Sequence, residues 1–110
     1  MKYMILIATD TEPGAPAESP DEIESWHSEG VRRGIRQSGG ILSAVSEAKT
    51  VRVRDEQLLI TDGPFTESKE WIVGFDIVDC TDIEEAIDYA SRHPMARRGR
   101  IEIRPVTGLD

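Results

Sequence analysis

The sequence has a single cysteine, few aromatic residues and no long hydrophobic segment. Cys80 alone cannot form an internal disulfide or a cysteine-built zinc site. Because only 5% of the 110 residues are aromatic, the core must consist mainly of Ile, Leu, Val and Ala. No apolar segment approaches the length of a membrane-spanning helix, and the N-terminus lacks the pattern of a secretion signal. We therefore expect a cytoplasmic protein that does not associate with membranes.

Basic residues are also in the minority. The 13 Lys and Arg against 21 Asp and Glu give a net charge of −8, which disfavours binding to nucleic acid phosphates. The charge is uneven, because residues 91–104, here called the arginine segment, contain arginines 92, 97, 98, 100 and 104 with Glu102 as the one acid. This segment is either a solvated surface or a local site for a carboxylate or phosphate, and Arg104 is its candidate ligand-binding residue.

The length and the hydrophobic pattern indicate one domain covering residues 1–110. Continuous apolar runs, or alternation of apolar and polar residues, predict six strands at residues 2–8, 41–46, 50–54, 57–61, 71–78 and 100–106. Asp55-Glu56 is the expected reversal of a hairpin. Gly74, inside an apolar strand, is typical of a bulge or a close backbone approach.

Two helices are predicted, each by a capping box at its start. The first is expected from Ser19 to the Gly39-Gly40 pair, and the second from Thr81 to His93-Pro94, because the residue before proline disfavours helical angles. Small residues on the inward face of the first helix would allow close packing on the sheet; these residues are Gly30 and Gly34.

This order of elements predicts an α+β fold, namely a ferredoxin-like sandwich with residues 50–61 as a hairpin insertion. The strands at residues 2–8 and 71–78 are apolar on both faces, so the sheet face away from the helices needs a cover. The simplest cover is a second copy of the chain. We therefore expect a homodimer that pairs through its sheet faces as a dimeric α/β barrel.

Residues 61–71, here called the polar loop, combine turn formers, charges and two aromatic residues. The run Asp62-Gly63-Pro64 cannot continue a strand, because Gly weakens it and Pro has no N–H to donate. The turn does not need the side chains that follow, which are therefore candidate substrate-binding residues: Phe65, Glu67, Lys69 and Glu70. The alternative is that Asp62 forms an Asx turn and the other polar side chains are solvated.

The polar loop, with its Asp-Gly-Pro-Phe-x-Glu-x-Lys-Glu pattern at residues 62–70, resembles the signature of the DGPF proteins within the YCII-related group. The first strand, the hairpin and the last strand are similar to that family in the same order. The resemblance implies a dimeric α/β barrel, cofactor-free lyase-like chemistry in some members, and a possible partnership with an extracytoplasmic-function sigma factor. It does not specify a substrate.

Only two histidines are present, and each is a candidate for acid–base chemistry. The resemblance implies a His on the first helix, matched by His27, and an Asp directly before a proline after the second helix. This sequence has His93 before Pro94 instead. A second imidazole does not replace a carboxylate as an orienting group. The candidate replacement carboxylates are all in the polar loop: Asp62, Glu67 and Glu70.

Each histidine also has a structural alternative. His27 would be a satisfied core or rim residue, and His93 would be a helix C-terminal residue, where the helix dipole favours a cation.

Three functions remain open at this point. The first is binding of a small polar or anionic metabolite in a helix–sheet cleft, without a cofactor or metal. His27 would be the acid–base, His93 and a carboxylate of the polar loop would orient it, and an arginine would hold an anion. The second is a non-catalytic interaction module whose acidic surface suits a basic protein partner such as a sigma factor. The third is a degenerate relative that kept the dimer and lost the site.

Overall fold

In the computed structural model, the described residues are 1–16, 19, 21–63 and 72–108. They form a mixed α+β fold, and the predicted class is confirmed at that level. The elements in chain order are β1 (Lys2–Ala8), α1 (Asp21–Arg32), β2 (Arg36–Ile41), a short 3-10 helix (Val45–Glu47), β3 (Lys49–Arg54), β4 (Gln57–Asp62), β5 (Ile72–Asp79), α2 (Ile83–Ser91), α3 (Pro94–Arg98) and β6 (Arg100–Pro105).

The main sheet has four antiparallel strands in the order β2-β5-β1-β6. In β1 the alternate residues Tyr3, Ile5 and Ile7 are buried, and they join Trp26 of α1 and Tyr89 of α2 in one hydrophobic core. The strand alternation therefore places one face of the sheet under the helices. The opposite face of β1 and β5 is only half-buried.

The first helix ends earlier than predicted. It stops at Arg32, and Gly34 follows in the left-handed conformation with a φ of 72°. The Ile35 N–H donates to Gly30 O at 2.8 Å, and the Gly34 N–H donates to Val31 O at 3.1 Å. These two bonds form a Schellman motif, in which glycine adopts positive φ at no steric cost. The prediction that the helix continues to Gly39-Gly40 is therefore wrong.

The early helix end changes the position of the second strand. The predicted strand at residues 41–46 is wrong, because β2 covers Arg36–Ile41 and pairs with β5. Gly39 lies inside this strand, where an added Cβ would be 2.2 Å from Asp76 Oδ1 and 2.5 Å from Phe75 O. Glycine at this position makes room for a buried carboxylate, rather than ending a helix.

The second helix begins one residue later than predicted. Asp82, not Thr81, is the N-cap, and its side chain accepts the Glu85 N–H at 2.9 Å. Glu85 returns the contact by accepting the Thr81 N–H at 3.1 Å. The capping-box chemistry was predicted correctly, but its register is shifted by one position.

The helices α1 and α2 are joined by a reciprocal pair of hydrogen bonds. The Trp26 indole donates to Tyr89 O at 2.7 Å, and the Tyr89 hydroxyl donates to Trp26 O at 2.9 Å. The two rings stack with centroids 4.1 Å apart. Gly30 permits this contact, because an added Cβ would lie 1.9 Å from the Tyr89 hydroxyl oxygen. Close packing at Gly30 is therefore confirmed, but its nearest neighbour is Tyr89 of α2 rather than the sheet. The same prediction for Gly34 is wrong, because Gly34 lies beyond the end of α1 and an added Cβ would have no atom within 4 Å.

The predicted hairpin is confirmed as β3 and β4, with the reversal at Asp55 and Glu56, both of which have positive φ. The alternation of apolar and charged residues in β3 does not bury either face within the described chain. Val51 and Val53 are about 60% exposed, and so are the residues that pair with them in β4. The hairpin forms a separate two-stranded sheet.

Within the described ranges, none of the helices has both the length and the apolar character needed to cross a membrane.

Candidate functional site

A cavity of about 280 Å³ lies between α1, the β2 and β5 strands, and the junction of α2 and α3. We call it the helix–sheet cavity. Its polar lining residues are His27, Arg36, Asp76 and His93. The apolar side chains around it include Ile7, Ile23, Ile41, Val73, Pro94 and Met95.

A buried ion pair lies at the floor of this cavity. The alternation of β5 turns Asp76 towards the helices, where it is 2% exposed. The Arg36 Nε donates to Asp76 Oδ1 at 2.7 Å, from the neighbouring strand β2. Burial raises the pKa of the Asp76 carboxyl, while the hydrogen bond and charge of Arg36 and the charge of His27 oppose that rise. The guanidinium therefore keeps a carboxylate in a position where an unpaired one would be costly.

His27 lies on α1 and lines the cavity, partly exposed. Burial lowers the pKa of its imidazole, the Arg36 charge lowers it further, and Asp76 acts in the opposite direction. A lowered pKa leaves the ring neutral at physiological pH, which is the form that accepts a proton. Among the described residues, none forms a hydrogen bond with the His27 ring nitrogens.

His93 is 3% exposed and is the N-cap of α3. Its Nδ1 accepts the Met95 N–H at 2.9 Å, so in the neutral ring the proton is on Nε2. Burial lowers the pKa of this imidazole to about 4, and the positive charge of His27 contributes to the shift. His93 directly follows the end of α2, as predicted, and its N–H donates to Ala90 O at 3.0 Å. The expectation that a cation is favoured here is wrong, because the ring is buried and also caps the start of α3.

The structure brings the two histidines to one place. Both rings contact Trp26, with centroids 5.4 Å away for His27 and 4.6 Å away for His93. Both also line the helix–sheet cavity, and the charge of His27 contributes to the lowered pKa of His93. The prediction that both histidines belong to one cleft thus agrees with their placement.

The other candidate residues lie elsewhere or outside the described ranges. Asp62 ends β4 with its side chain exposed and paired with Lys49. Arg104 lies opposite Met4 on the sheet face away from the helices, with its Nε 3.8 Å from Glu102 Oε2. Neither residue lines the helix–sheet cavity. Four candidates are not among the described residues: Phe65, Glu67, Lys69 and Glu70.

The arginine segment is used for contacts on the protein surface. Arg92 donates to Glu29 at 2.6 Å and thereby connects α2 to α1. Arg97 donates to Glu22 at 2.8 Å, and Arg98 donates to the backbone oxygen of Gly14. Arg100 is 3.7 Å from Asp10. This arrangement corresponds to the solvated-surface alternative, and none of these arginines lines the helix–sheet cavity.

Sequence reasoning missed both members of the buried ion pair. A signal for Asp76 was present, since it is an acid within a strand that is otherwise apolar, and such a residue needs a partner. Arg36 was hidden by the wrong helix end, which placed it on α1 instead of on a strand. Their separation by 40 positions in the sequence left no local pattern to detect.

Among the described residues, no group of three His, Cys, Asp or Glu side chains is arranged to hold a metal ion. Cys80 is buried, and burial together with Glu85 raises the pKa of its thiol to about 11, so it is a poor nucleophile.

Comparison with known proteins agrees with the resemblance in the sequence. The YCII-related domain matches residues 1–110. An uncharacterised protein of Rhizobium meliloti (strain 1021) is 30% identical over 114 residues, which covers 96% of this chain and 92% of the relative. The chain therefore belongs to the YCII-related domain family.

Proposed function

We propose that this domain binds a small molecule in the helix–sheet cavity and uses His27 for cofactor-free acid–base chemistry. The observation that carries the proposal is the arrangement of His27, His93 and the Arg36–Asp76 pair around one cavity. Small-molecule sites are typically apolar hollows with a few converging polar groups, and titratable groups with shifted pKa values concentrate there.

Each polar group has a defined role in this proposal. The neutral His27 ring accepts a proton from the ligand, and the negative charge of Asp76 stabilises the imidazolium that forms. Asp76 thus takes the role of the carboxylate that accompanies His27, which the sequence suggested for an acid of the polar loop. His93 is held by Met95, and its Nε2–H remains as a hydrogen-bond donor.

The test is a ligand screen followed by NMR of the histidine ring signals. Replacing His27→Ala should preserve the fold and abolish binding of any compound that shifts the wild-type His27 and His93 signals. Glu24→Gln, at an exposed position of the same helix, is the matched control and should bind as the wild type does. Unchanged affinity in His27→Ala would refute the role of His27.

We also propose that the fold is a ferredoxin-like sandwich with β3 and β4 as an insertion, and that two cytoplasmic copies pair through their sheets. The strand order β2-β5-β1-β6, taken without the hairpin, supports the first part. The half-buried apolar residues on the face away from the helices support the second: Met4, Leu6 and Ile77. Sedimentation at several concentrations tests it, and a monomer at high concentration would contradict it.

A second candidate function is an interaction module, favoured by the exposed apolar face of the hairpin. Val51 and Val53 of β3 pair with Ile60 and Leu58 of β4 on one face, and all four are about 60% exposed. Such a patch is typical of a protein-binding surface. If a purified extracytoplasmic-function sigma factor is the partner, Val51→Asp should abolish the complex, whereas Arg52→Asp on the other face should not.

A further inference from the structure

We infer that the ligand of the helix–sheet cavity is an uncharged, mainly apolar small molecule with one polar group, rather than an anion. This inference rests on the proposed function, and it names the ligand class for the same site. It replaces the expectation of a polar or anionic metabolite, which depended on an available arginine.

The charges around the cavity cancel. Arg36 is the arginine that lines it among the described residues, and its charge is balanced by the carboxylate of Asp76 at 2.7 Å. Both histidines have lowered pKa values and are neutral at pH 7. The described lining therefore has no uncompensated positive charge for a carboxylate or phosphate to bind.

An anion would also disturb the buried ion pair. Binding to the guanidinium of Arg36 would place a second negative charge beside Asp76, whose side chain is 2% exposed. Like charges at close range disfavour each other, and a buried carboxylate cannot be screened by water. If the anion instead displaced Asp76 from Arg36, it would leave a buried charge without its partner, which is strongly unfavourable.

The apolar lining and the size define the remaining properties of the ligand. Ile23 of α1, Val73 of β5 and Met95 of α3 contribute apolar walls from three elements. A volume of about 280 Å³ is at the small end for ligand sites, so the ligand is of the size of a single substituted ring. The polar groups of the lining, which include both histidines, influence one another electrostatically. Together they can bind one hydroxyl, carbonyl or similar polar group on that ring.

The experiment compares neutral and anionic probes of matched shape. Benzyl alcohol and benzoate form one pair, and cyclohexanol and cyclohexanecarboxylate form another. Binding is followed at pH 7 by NMR of the Met95 methyl group and the two histidine rings. The chain has 3 methionines, which makes the Met95 signal easy to assign. In each pair we expect the neutral probe to bind about tenfold more tightly or better, equivalent to about 1.4 kcal/mol.

A variant then leaves the cavity with a net positive charge. Asp76→Asn removes the negative charge while keeping the shape of the side chain, and it leaves the Arg36 charge uncompensated. The anionic probes should then gain about tenfold in affinity relative to their neutral partners. Asp79→Asn is the control, because Asp79 is an acid of the same strand that pairs with the N-terminal amine outside the cavity. It should retain the wild-type preference.

The outcomes separate the two proposals. Tighter binding of the anionic probes to the wild type would overturn the inferred ligand class and leave the cavity as a binding site. Absence of any shift at Met95 and the histidines with all probes would overturn both the ligand class and the proposed function. The comparison of neutral and anionic probes with the wild-type protein tests the ligand class even if Asp76→Asn does not fold.

Discussion

The buried His93 makes a direct prediction about stability and pH. In the folded protein the pKa of this imidazole is lowered from 6.5 to about 4. Between these two values the unfolded chain binds a proton that the folded chain does not bind, so stability falls as the pH decreases through this range. Each pKa unit corresponds to about 1.36 kcal/mol, so acidification from pH 6.5 to pH 4 should cost about 3 kcal/mol through His93.

The variant His93→Asn isolates this contribution. Asn is a good N-cap, and its side-chain oxygen can accept the Met95 N–H that His93 Nδ1 accepts at 2.9 Å. The variant therefore retains the cap of α3 and loses the titrating group. A smaller side chain lowers stability by a constant amount at every pH, which leaves the slope unaffected.

The assay is urea unfolding at a series of pH values from 7 to 4, followed by the fluorescence of the tryptophans. His27 has a lowered pKa and adds loss of stability on acidification, while the raised pKa of Asp76 acts in the opposite direction. Both contributions remain in the variant, so the difference between the two curves reports His93. Equal dependence on pH in wild type and variant would refute the assignment of His93 as a buried neutral imidazole.

Two further substitutions test the packing and the turn. Gly30→Ala should lower the free energy of unfolding in urea by about 2 kcal/mol despite better helix propensity, because its Cβ would displace the Tyr89 hydroxyl. Ser28→Ala, at an exposed position of α1, is the control and should not lower it. Equal stability of the two variants would contradict the contact between Gly30 and Tyr89. Glu56→Gly should stabilise the hairpin by about 1 kcal/mol, because Glu56 has a φ of 65°, and this should appear as slower hydrogen exchange in β3 and β4. Gln57→Gly, within the strand, should instead make exchange faster. Faster exchange in Glu56→Gly would exclude the left-handed turn.

Local patterns were sufficient for much of the fold. The apolar run of β1, the reversal at Asp55-Glu56 and the break at His93-Pro94 were all predicted from the residues themselves. In each case the backbone conformation depends on residues within a few positions along the chain, through alternation, turn geometry or the restriction before proline. The mixed α+β class followed from the same elements.

The end of the first helix shows where local patterns failed. Gly34 and the Gly39-Gly40 pair are both plausible helix terminators, and the periodicity of the apolar residues favoured the later one. The structure uses Gly34, because Ile35 can then enter the core while its N–H closes the Schellman motif on Gly30. Which glycine ends a helix depends on what its following residue can pack against, and that is a tertiary property.

The sequence by itself determined the family, the strands other than β2, and the two histidines as the candidates for acid–base chemistry. The tertiary structure decided which groups accompany those histidines. It placed Asp76 beside Arg36 on neighbouring strands, and it placed Asp62 on an exposed hairpin instead. The physical reason is that a charge buried in a sheet requires a partner, and the partner is selected by strand register across 40 positions of sequence rather than by proximity along the chain.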